Sequence, residues 1–279
     1  MSGPPTAPGP AGPEPADDLR HRLDRDGFAV IDVFDRRQVR AIRRALRRFD
    51  LAADHGFFAS PAHAPGPLAR SFQDVVTDIA RPALVRVVPG YVPFMVAVTS
   101  KGRRRGDAVK FHHDWTYTDE RTARPIFLWC PLVDTDAGNG GLSVVPGSHR
   151  WTSGIRPSRK LEATESFQEE LAARSVPLAV PAGAAIAFDP GLLHGSGPNP
   201  TRRARPAITI ASAPQGVPLL HFHESVDGSL RGTEVDDRFF TLHPYGTAPP
   251  EGAPREPWDR AVSAEDFAAA LRNHQGASR

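Results

Sequence analysis

The residues of this chain best suited to chemistry are the run Phe111-His112-His113-Asp114-Trp115 and a third histidine, His194, which stands 82 residues after His112 in Leu192-Leu193-His194-Gly195-Ser196-Gly197. On a strand, side chains at i and i+2 point the same way, so His112 and Asp114 project together from one strand end. A second histidine from a distant strand could complete a two-His, one-carboxylate face that leaves half of the coordination sphere open. Such a donor set suits Fe(II). The open positions suit oxygen chemistry, in which O2 and an electron-donating cosubstrate must both reach the metal. A bare His-x-Asp is a weak signal in a chain with 11 His, and the residues after His194 strengthen it. Gly195-Ser-Gly-Pro-Asn-Pro-Thr201 carries turn chemistry, so the chain should reverse into a strand over Ala204 to Ala211. There Ile208 and Ile210 share one face. Arg205, Ala207 and Thr209 share the other, which presents one guanidinium among small side chains and suits the distal carboxylate of a small dicarboxylic acid. The plain alternative is a solvent-facing Arg on an edge strand, and Pro206 favours an edge or strand-start position.

These residues need a frame that sets strands side by side. Short strands bounded by Gly, Pro and Asp are expected over Tyr91 to Thr99, Val109 to Asp114, Ile126 to Val133, Leu142 to Val145, Leu178 to Val180, Ala184 to Phe188 and Ala204 to Ala211. The segments between them are mostly too short for crossover helices, which argues for a mainly β jelly roll or sandwich. Before them, Asp17 to Asp26 reads as a helix closed by Gly27 and Phe28 to Phe34 as a strand. Asp35 caps a helix over Arg36 to Phe49 with Val39, Ile42, Leu46 and Phe49 on one face and seven Arg largely on the other, a solvated face more simply than a docking one. Residues 151–176 form an insertion with a helix around Ala163 to Arg174, placed where a lid could sit, with a surface embellishment as the equal alternative. Ser263 to Arg272 is a capped helix. Residues 1–16, with six Pro and three Gly, should form a disordered tail, leaving 17–279 as a single domain.

Composition narrows the classes. Hydrophobic residues make up 40% and charged residues 24% of 279, which is ample for a core. The lone Cys130 excludes an intrachain disulfide or a Cys-x-x-Cys site. No apolar run approaches the ~18 residues of a membrane span and no signal segment is visible, so a cytoplasmic location is expected. A net charge of +2 gives no reason to expect a nucleic-acid or membrane partner. The cations are nearly all Arg, with Lys only at 101, 110 and 160, so Arg abundance is weak evidence of function.

The sequence resembles the phytanoyl-CoA dioxygenase (PhyH-like) family of Fe(II)/2-oxoglutarate-dependent oxygenases. The resemblance runs from about Asp17 to Ala213. It rests on Phe111-His112-His113-Asp114-Trp115, on Trp129, on Asn139-Gly-Gly-Leu-Ser-Val-Val-Pro-Gly-Ser-His149-Arg150 and on His194-Gly-Ser-Gly-Pro-Asn199 with Arg205 downstream. It implies a double-stranded β-helix of the jelly-roll, cupin-like kind with flanking N- and C-terminal helices, and iron held by His112, Asp114 and His194. It also implies 2-oxoglutarate on the metal through its 2-oxo acid end, with Arg205 and Ser196 on the far carboxylate. Trp129 and Lys101 match family positions beside the cosubstrate, and His113 is a third candidate contact there. His113 replaces the usual Gln between the first two ligands, and alternation points it away from them. His149 belongs to a turn signature. His221 and His223 lie past the last barrel strand that the resemblance assigns, in a loop or facing substrate. Ser148 and Ser196 lack the Gly-x-Ser-x-Gly elbow of a hydrolase.

The implied activity is oxidation of a C–H bond, most simply hydroxylation, of a small organic substrate such as a secondary-metabolite intermediate, free or linked to CoA or a carrier, with release of succinate and CO2. Related halogenases resemble this pattern but replace the carboxylate by a small residue, so Asp114 disfavours halogenation. Desaturation, cyclisation and epoxidation share the same first step. The alternatives are a non-catalytic jelly-roll binding protein and a metalloenzyme on the same fold that does not use 2-oxoglutarate.

Overall fold

A computed structural model of the chain describes residues 16–48, 56–63, 65–103, 107–158, 162–225, 227, 229–243 and 252–274. The expected tail up to residue 15, Phe49, and Arg104 and Arg105 of a basic run at 103–105 lie outside these residues. Helix α1 (Ala16–Asp26) ends at Gly27, whose φ of 83° is left-handed and whose missing Cβ leaves room for His149. Strand β1 (Phe28–Asp32) and helix α2 (Arg36–Leu46) follow; Asp35 caps α2 in a capping box with Gln38, and Val39, Ile42 and Leu46 are buried as the periodicity predicts. Next come β2 (Phe57–Ala59), the short α3 (Ser60–His63) and α4 (Pro67–Val87). The remaining elements are β3 (Tyr91–Lys101), β4 (Val109–His112), β5 (Ile126–Pro131), β6 (Leu142–Val144), α5 (Gln168–Arg174), β7 (Val176–Pro177), β8 (Ala184–Phe188), β9 (His194–Ser196), β10 (Arg205–Pro214), β11 (Leu219–Glu224), β12 (Leu230–Val235), α6 (Phe239–Leu242), β13 (Pro254–Arg255) and α7 (Ala264–Asn273).

Two antiparallel sheets face each other as in a jelly roll, one of six strands in the order β1-β8-β5-β10-β3-β2 and one of four in the order β4-β9-β6-β7. A third sheet, β11-β12-β13, follows them in sequence. Strand alternation divides the large sheet between two cores. Val96, Val98, Leu128, Cys130, Ile208 and Ile210 pack with α1, α2 and α4 through Leu23, Ile42, Phe72 and Val76. Met95, Phe127, Trp129, Ile186 and Ala207 face the other way, against Leu142 and Val144 of the small sheet. The inner side is therefore where a site can be built. Among the described residues no helix is long and apolar enough to cross a membrane.

The structure departs from the sequence reading at five places. α4 was not expected; its interior Pro82 reads as a breaker, yet Phe72, Val76, Ala80 and Ala83 keep helical spacing and bury against the sheet. Leu178 to Val180 is not a strand: only Val180 bridges, to Thr135, and β7 lies just before it. β4 ends at His112, so Asp114 stands beyond the strand on a backbone held by its N–H donating to Pro190 O at 2.8 Å. β10 lies between β5 and β3, so Arg205 stands at a strand start, as Pro206 allows, but on an interior strand and not an edge. His221 and His223 sit on strand β11, not in a loop.

Candidate metal centre and cosubstrate pocket

β4 and β9 pair antiparallel with His112 opposite His194, which is how two histidines 82 residues apart come together. One donor atom from each of His112, Asp114 and His194 lies within 4.8 Å of the others. His112 Nε2 is 3.9 Å from Asp114 Oδ1, and His194 Nε2 is 4.0 Å from Asp114 Oδ2. One ion can bridge such spans, since two bonds of about 2.1 Å reach about 4.2 Å. The backbone fixes which nitrogens are offered. His112 Nδ1 faces Lys110 O at 2.8 Å and His194 Nδ1 faces Leu192 O at 2.9 Å. A carbonyl accepts only from N–H, so each ring carries its proton on Nδ1 and presents the Nε2 lone pair. Burial, with His112 close by, pushes His194 down to about 4, so it is neutral as a ligand must be.

Segment 151–176 reinforces this centre. Arg156 is buried; its Nε donates to Asp114 O at 2.7 Å, and its guanidinium pairs with Glu120 at 2.6 Å. Thr116 N donates to Arg156 O at 3.0 Å, and Arg156 N donates in return to the Thr116 side-chain hydroxyl at 3.0 Å. Gln168 of α5 accepts from Phe111 N at 2.7 Å and donates to Phe111 O at 2.9 Å, clamping the strand that carries His112. Sequence reasoning missed Arg156 and Gln168. The contacts that reach the centre, Arg156 Nε to Asp114 O and Gln168 to Phe111, are to backbone atoms, which leave no trace in residue types.

A cavity of about 670 Å³ opens between the sheets and reaches all three candidate ligands. At one end lies Arg205, 3% exposed, with Nε and Nη1 buried and without a hydrogen-bond partner. Its guanidinium carbon is 5.3 Å from the centre of the Trp129 ring, and burial lowers its pKa to about 10. A buried guanidinium with unused donors costs free energy unless an anion meets it, so the residues present fit a dicarboxylate. Ser196 and Thr209 line the same cavity, as does Thr99, whose hydroxyl is also buried without a partner. Thr99 was missed, although it shares a face with Lys101 by simple alternation.

Lys101 lies off the cavity surface, whereas His113 borders it. Lys101 is fully buried, but it does not line the cavity; its Nζ donates to Asp107 O at 2.7 Å, Ser196 O at 3.3 Å and Gly197 O, so it ties backbone segments together. Burial, with Arg205 nearby, lowers its pKa to about 7. His113 packs on Phe267 of α7, ring centres 5.3 Å apart. Burial holds it well below its ordinary value. Of the remaining histidines, His149 faces Asp24 O at 3.2 Å and locks α1 against the turn after β6. Ser148 Oγ accepts from Leu193 N at 2.8 Å, steadying the approach to His194.

Three solved structures share this architecture. The non-heme alpha ketoglutarate dependent carbocyclase SnoK from nogalamycin biosynthesis is 16% identical, with a TM-score of 0.55 over 75% of this chain and 89% of its own. The epimerase SnoN from the same biosynthesis is 17% identical, with a TM-score of 0.53 over 89% of this chain and 96% of its own. HygX from Streptomyces hygroscopicus, solved with nickel, 2-oxoglutarate and hygromycin B bound, is 17% identical, with a TM-score of 0.51 over 71% of this chain and 87% of its own. A comparison with curated proteins finds no match. The model of the family described as Phytanoyl-CoA dioxygenase (PhyH) matches residues 23–207, a span that takes in β4, β9 and the start of β10. Since that match holds well over half of the sequence and contains His112, Asp114, His194, Ser196 and Arg205, the chain belongs to the phytanoyl-CoA dioxygenase family of 2-oxoglutarate-dependent oxygenases.

Proposed function

We propose that the protein hydroxylates a C–H bond of a small organic substrate, with His112, Asp114 and His194 as the iron ligands and Arg205 as the main anchor of 2-oxoglutarate. The single observation that carries this reading is the pairing, within one cavity, of a three-donor cluster with a buried Arg205 that lacks a partner. Iron bound there would supply, with O2 and 2-oxoglutarate, the oxidising power for C–H cleavage, and 2-oxoglutarate would leave as succinate and CO2. The residues of the chain do the rest. Arg205 and Ser196 hold the far carboxylate, with Trp129 stacked beside the guanidinium and Thr99 adding a hydroxyl. Lys101 supports them from behind through the Ser196 and Gly197 carbonyls. His113 steadies the Asp114 loop against α7.

The carbocyclase SnoK and the epimerase SnoN have this fold, so ring closure and inversion stand beside hydroxylation as outcomes that substrate placement decides. Among the described lining residues the cations outside the histidines are Arg205 and Lys110, and Lys110 pairs with Glu165. That supports a substrate whose reacting part is uncharged, with any CoA or carrier arm kept outside the cavity. The test is aerobic incubation with Fe(II), 2-oxoglutarate and a panel of candidate metabolites, followed by mass spectrometry. The expected product gains one oxygen, with one succinate formed per turnover. Oxidation without succinate would overturn the assignment.

A further inference from the structure

One polar pair in the cavity wall is used by neither the metal ligands nor the cosubstrate pocket. Ser158 is 2% exposed, lines the cavity, and places its Oγ 3.0 Å from His221 Nε2. The pair is held on all sides. Ser158 N donates to Phe222 O at 2.7 Å, and Leu220 N donates to Tyr117 O at 2.8 Å, so β11 is stitched to both cavity-lining segments. The His221 ring packs on Phe239 with centres 4.6 Å apart and stacks on His223 at 5.7 Å.

The contacts of β11 place this pair with the aromatic residues of the cavity, since Leu220 N donates to Tyr117 O and the Tyr117 ring packs on Phe127. Along β10, Thr209 stands opposite Trp129 and Ala211 opposite Phe127. Six residues of strand separate Arg205 from Ala211, about 20 Å at ~3.3 Å per residue. The Tyr117 ring lies 5.5 Å from Phe127, and Phe188 lies 5.7 Å from Phe127 and 5.0 Å from His194. Phe188 therefore links the metal cluster to the aromatic group of Tyr117 and Phe127, and Ser158, tied to that group through β11, belongs with it.

A hydroxyl has one proton and two lone pairs, and its bond to His221 uses one of the three. If Ser158 donates to His221 it keeps lone pairs to accept from a substrate hydroxyl, and if it accepts from His221 Nε2–H it keeps its proton to donate to a ketone. An ion brought here would lack a free counter-charge among the described lining residues, because Lys110 and Glu165 pair with each other, Asp114 belongs to the metal cluster and Arg205 is taken by 2-oxoglutarate. We infer that the Ser158–His221 pair receives a neutral oxygen, a hydroxyl or ketone, on a ring of the substrate that packs against Trp115, Tyr117 and Phe127, and that this contact aims the ring at the metal. The inference rests on reading the cavity as the oxygenase site.

The probes are 2-naphthol, naphthalene and 2-naphthoate, which share a ring system and differ in the polar handle. Each is titrated into protein loaded with Mn(II) and saturated with 2-oxoglutarate, so that Arg205 is already engaged. The expected order is 2-naphthol tightest, with Ser158→Ala weakening it about 3- to 10-fold and leaving naphthalene unchanged. Ser158→Thr, which keeps the hydroxyl, should retain the preference. His221→Gln serves as the second variant should Ser158→Ala not fold, and is expected to weaken 2-naphthol alone. Tightest binding by 2-naphthoate, no binding of 2-naphthol, or an unchanged preference for 2-naphthol in the variant that folds would overturn the inference. The 2-oxoglutarate titration of the same samples reads the oxygenase assignment separately. Its failure removes that assignment, whereas normal 2-oxoglutarate binding without a 2-naphthol preference removes only the Ser158–His221 contact.

Discussion

At His112 and His194 the backbone chooses the donor atom. Each Nδ1 proton is taken by the carbonyl two residues earlier in the chain, and that leaves both Nε2 lone pairs beside the Asp114 carboxylate. Deleting one ring should therefore remove the site, because water replaces an imidazole poorly. His194→Ala is expected to lose stoichiometric Fe(II) in anaerobic equilibrium dialysis, while His149→Ala and His223→Ala keep it; full iron content in His194→Ala would move the centre elsewhere. Lys101 and Arg205 show the same contrast between identity and role. Both are buried cations opposite each other across β3 and β10, yet Lys101 spends its protons on backbone carbonyls and Arg205 keeps two nitrogens unpaired. Lys101→Met should lower stability by about 1–3 kcal/mol for the carbonyls left bare, read by thermal unfolding, while moving 2-oxoglutarate affinity far less than Arg205→Leu does. Equal losses of affinity in both would return Lys101 to the cosubstrate site.

The strands that carry the candidate ligands His112 and His194 are short, and neighbouring segments hold them in place. Arg156 grips the Asp114 carbonyl and Gln168 clamps Phe111, so the segment between β6 and β8 forms part of the cavity's wall and support. Arg156→Met is expected to weaken metal binding about 10- to 100-fold, as loss of a partner behind the ligands commonly does, and to leave Glu120 unpaired. An unchanged Mn(II) affinity in a folded Arg156→Met protein would reduce the ion pair with Glu120 to a packing role. At this scale the sequence was legible wherever periodicity and local chemistry agree. The alternation of Ile208 and Ile210 against Arg205, Ala207 and Thr209, the Asp35 cap and the Ser263 cap all appear where the residue types place them. α4 was not legible because Pro82 masks a helix that tertiary burial of Phe72 and Val76 sustains. Arg156 and Thr99 were not legible because their partners are a carbonyl and an open cavity, neither of which a one-dimensional pattern records.

Across the whole molecule, the helical layer packs on one face of the large sheet and leaves the other face free to form the cavity. The join between helix α1 and the turn after β6 runs through His149, whose Nε2 proton goes to Asp24 O while Nδ1 is buried without a partner. Burial lowers its pKa in the folded state, so as pH falls through about 6.5 the unfolded chain takes up a proton that the folded chain resists. Stability therefore holds above about 6.5 and declines below it, and His113 adds in the same direction. His149→Gln, which keeps a donor for Asp24 O, should lose less Tm than the parent protein between about pH 7.5 and about pH 5.5; an equal loss would remove His149 from the account. The central claim is that one cavity binds metal and 2-oxoglutarate together, the metal at His112, Asp114 and His194 and the far carboxylate at Arg205. Anaerobic titration of 2-oxoglutarate into the Fe(II)-loaded protein tests it most directly. Leaving that carboxylate without its partner costs on the order of 2–5 kcal/mol. Arg205→Leu should accordingly retain iron and bind 2-oxoglutarate roughly 30- to several-thousand-fold more weakly. Unchanged 2-oxoglutarate affinity in iron-loaded Arg205→Leu would contradict the account.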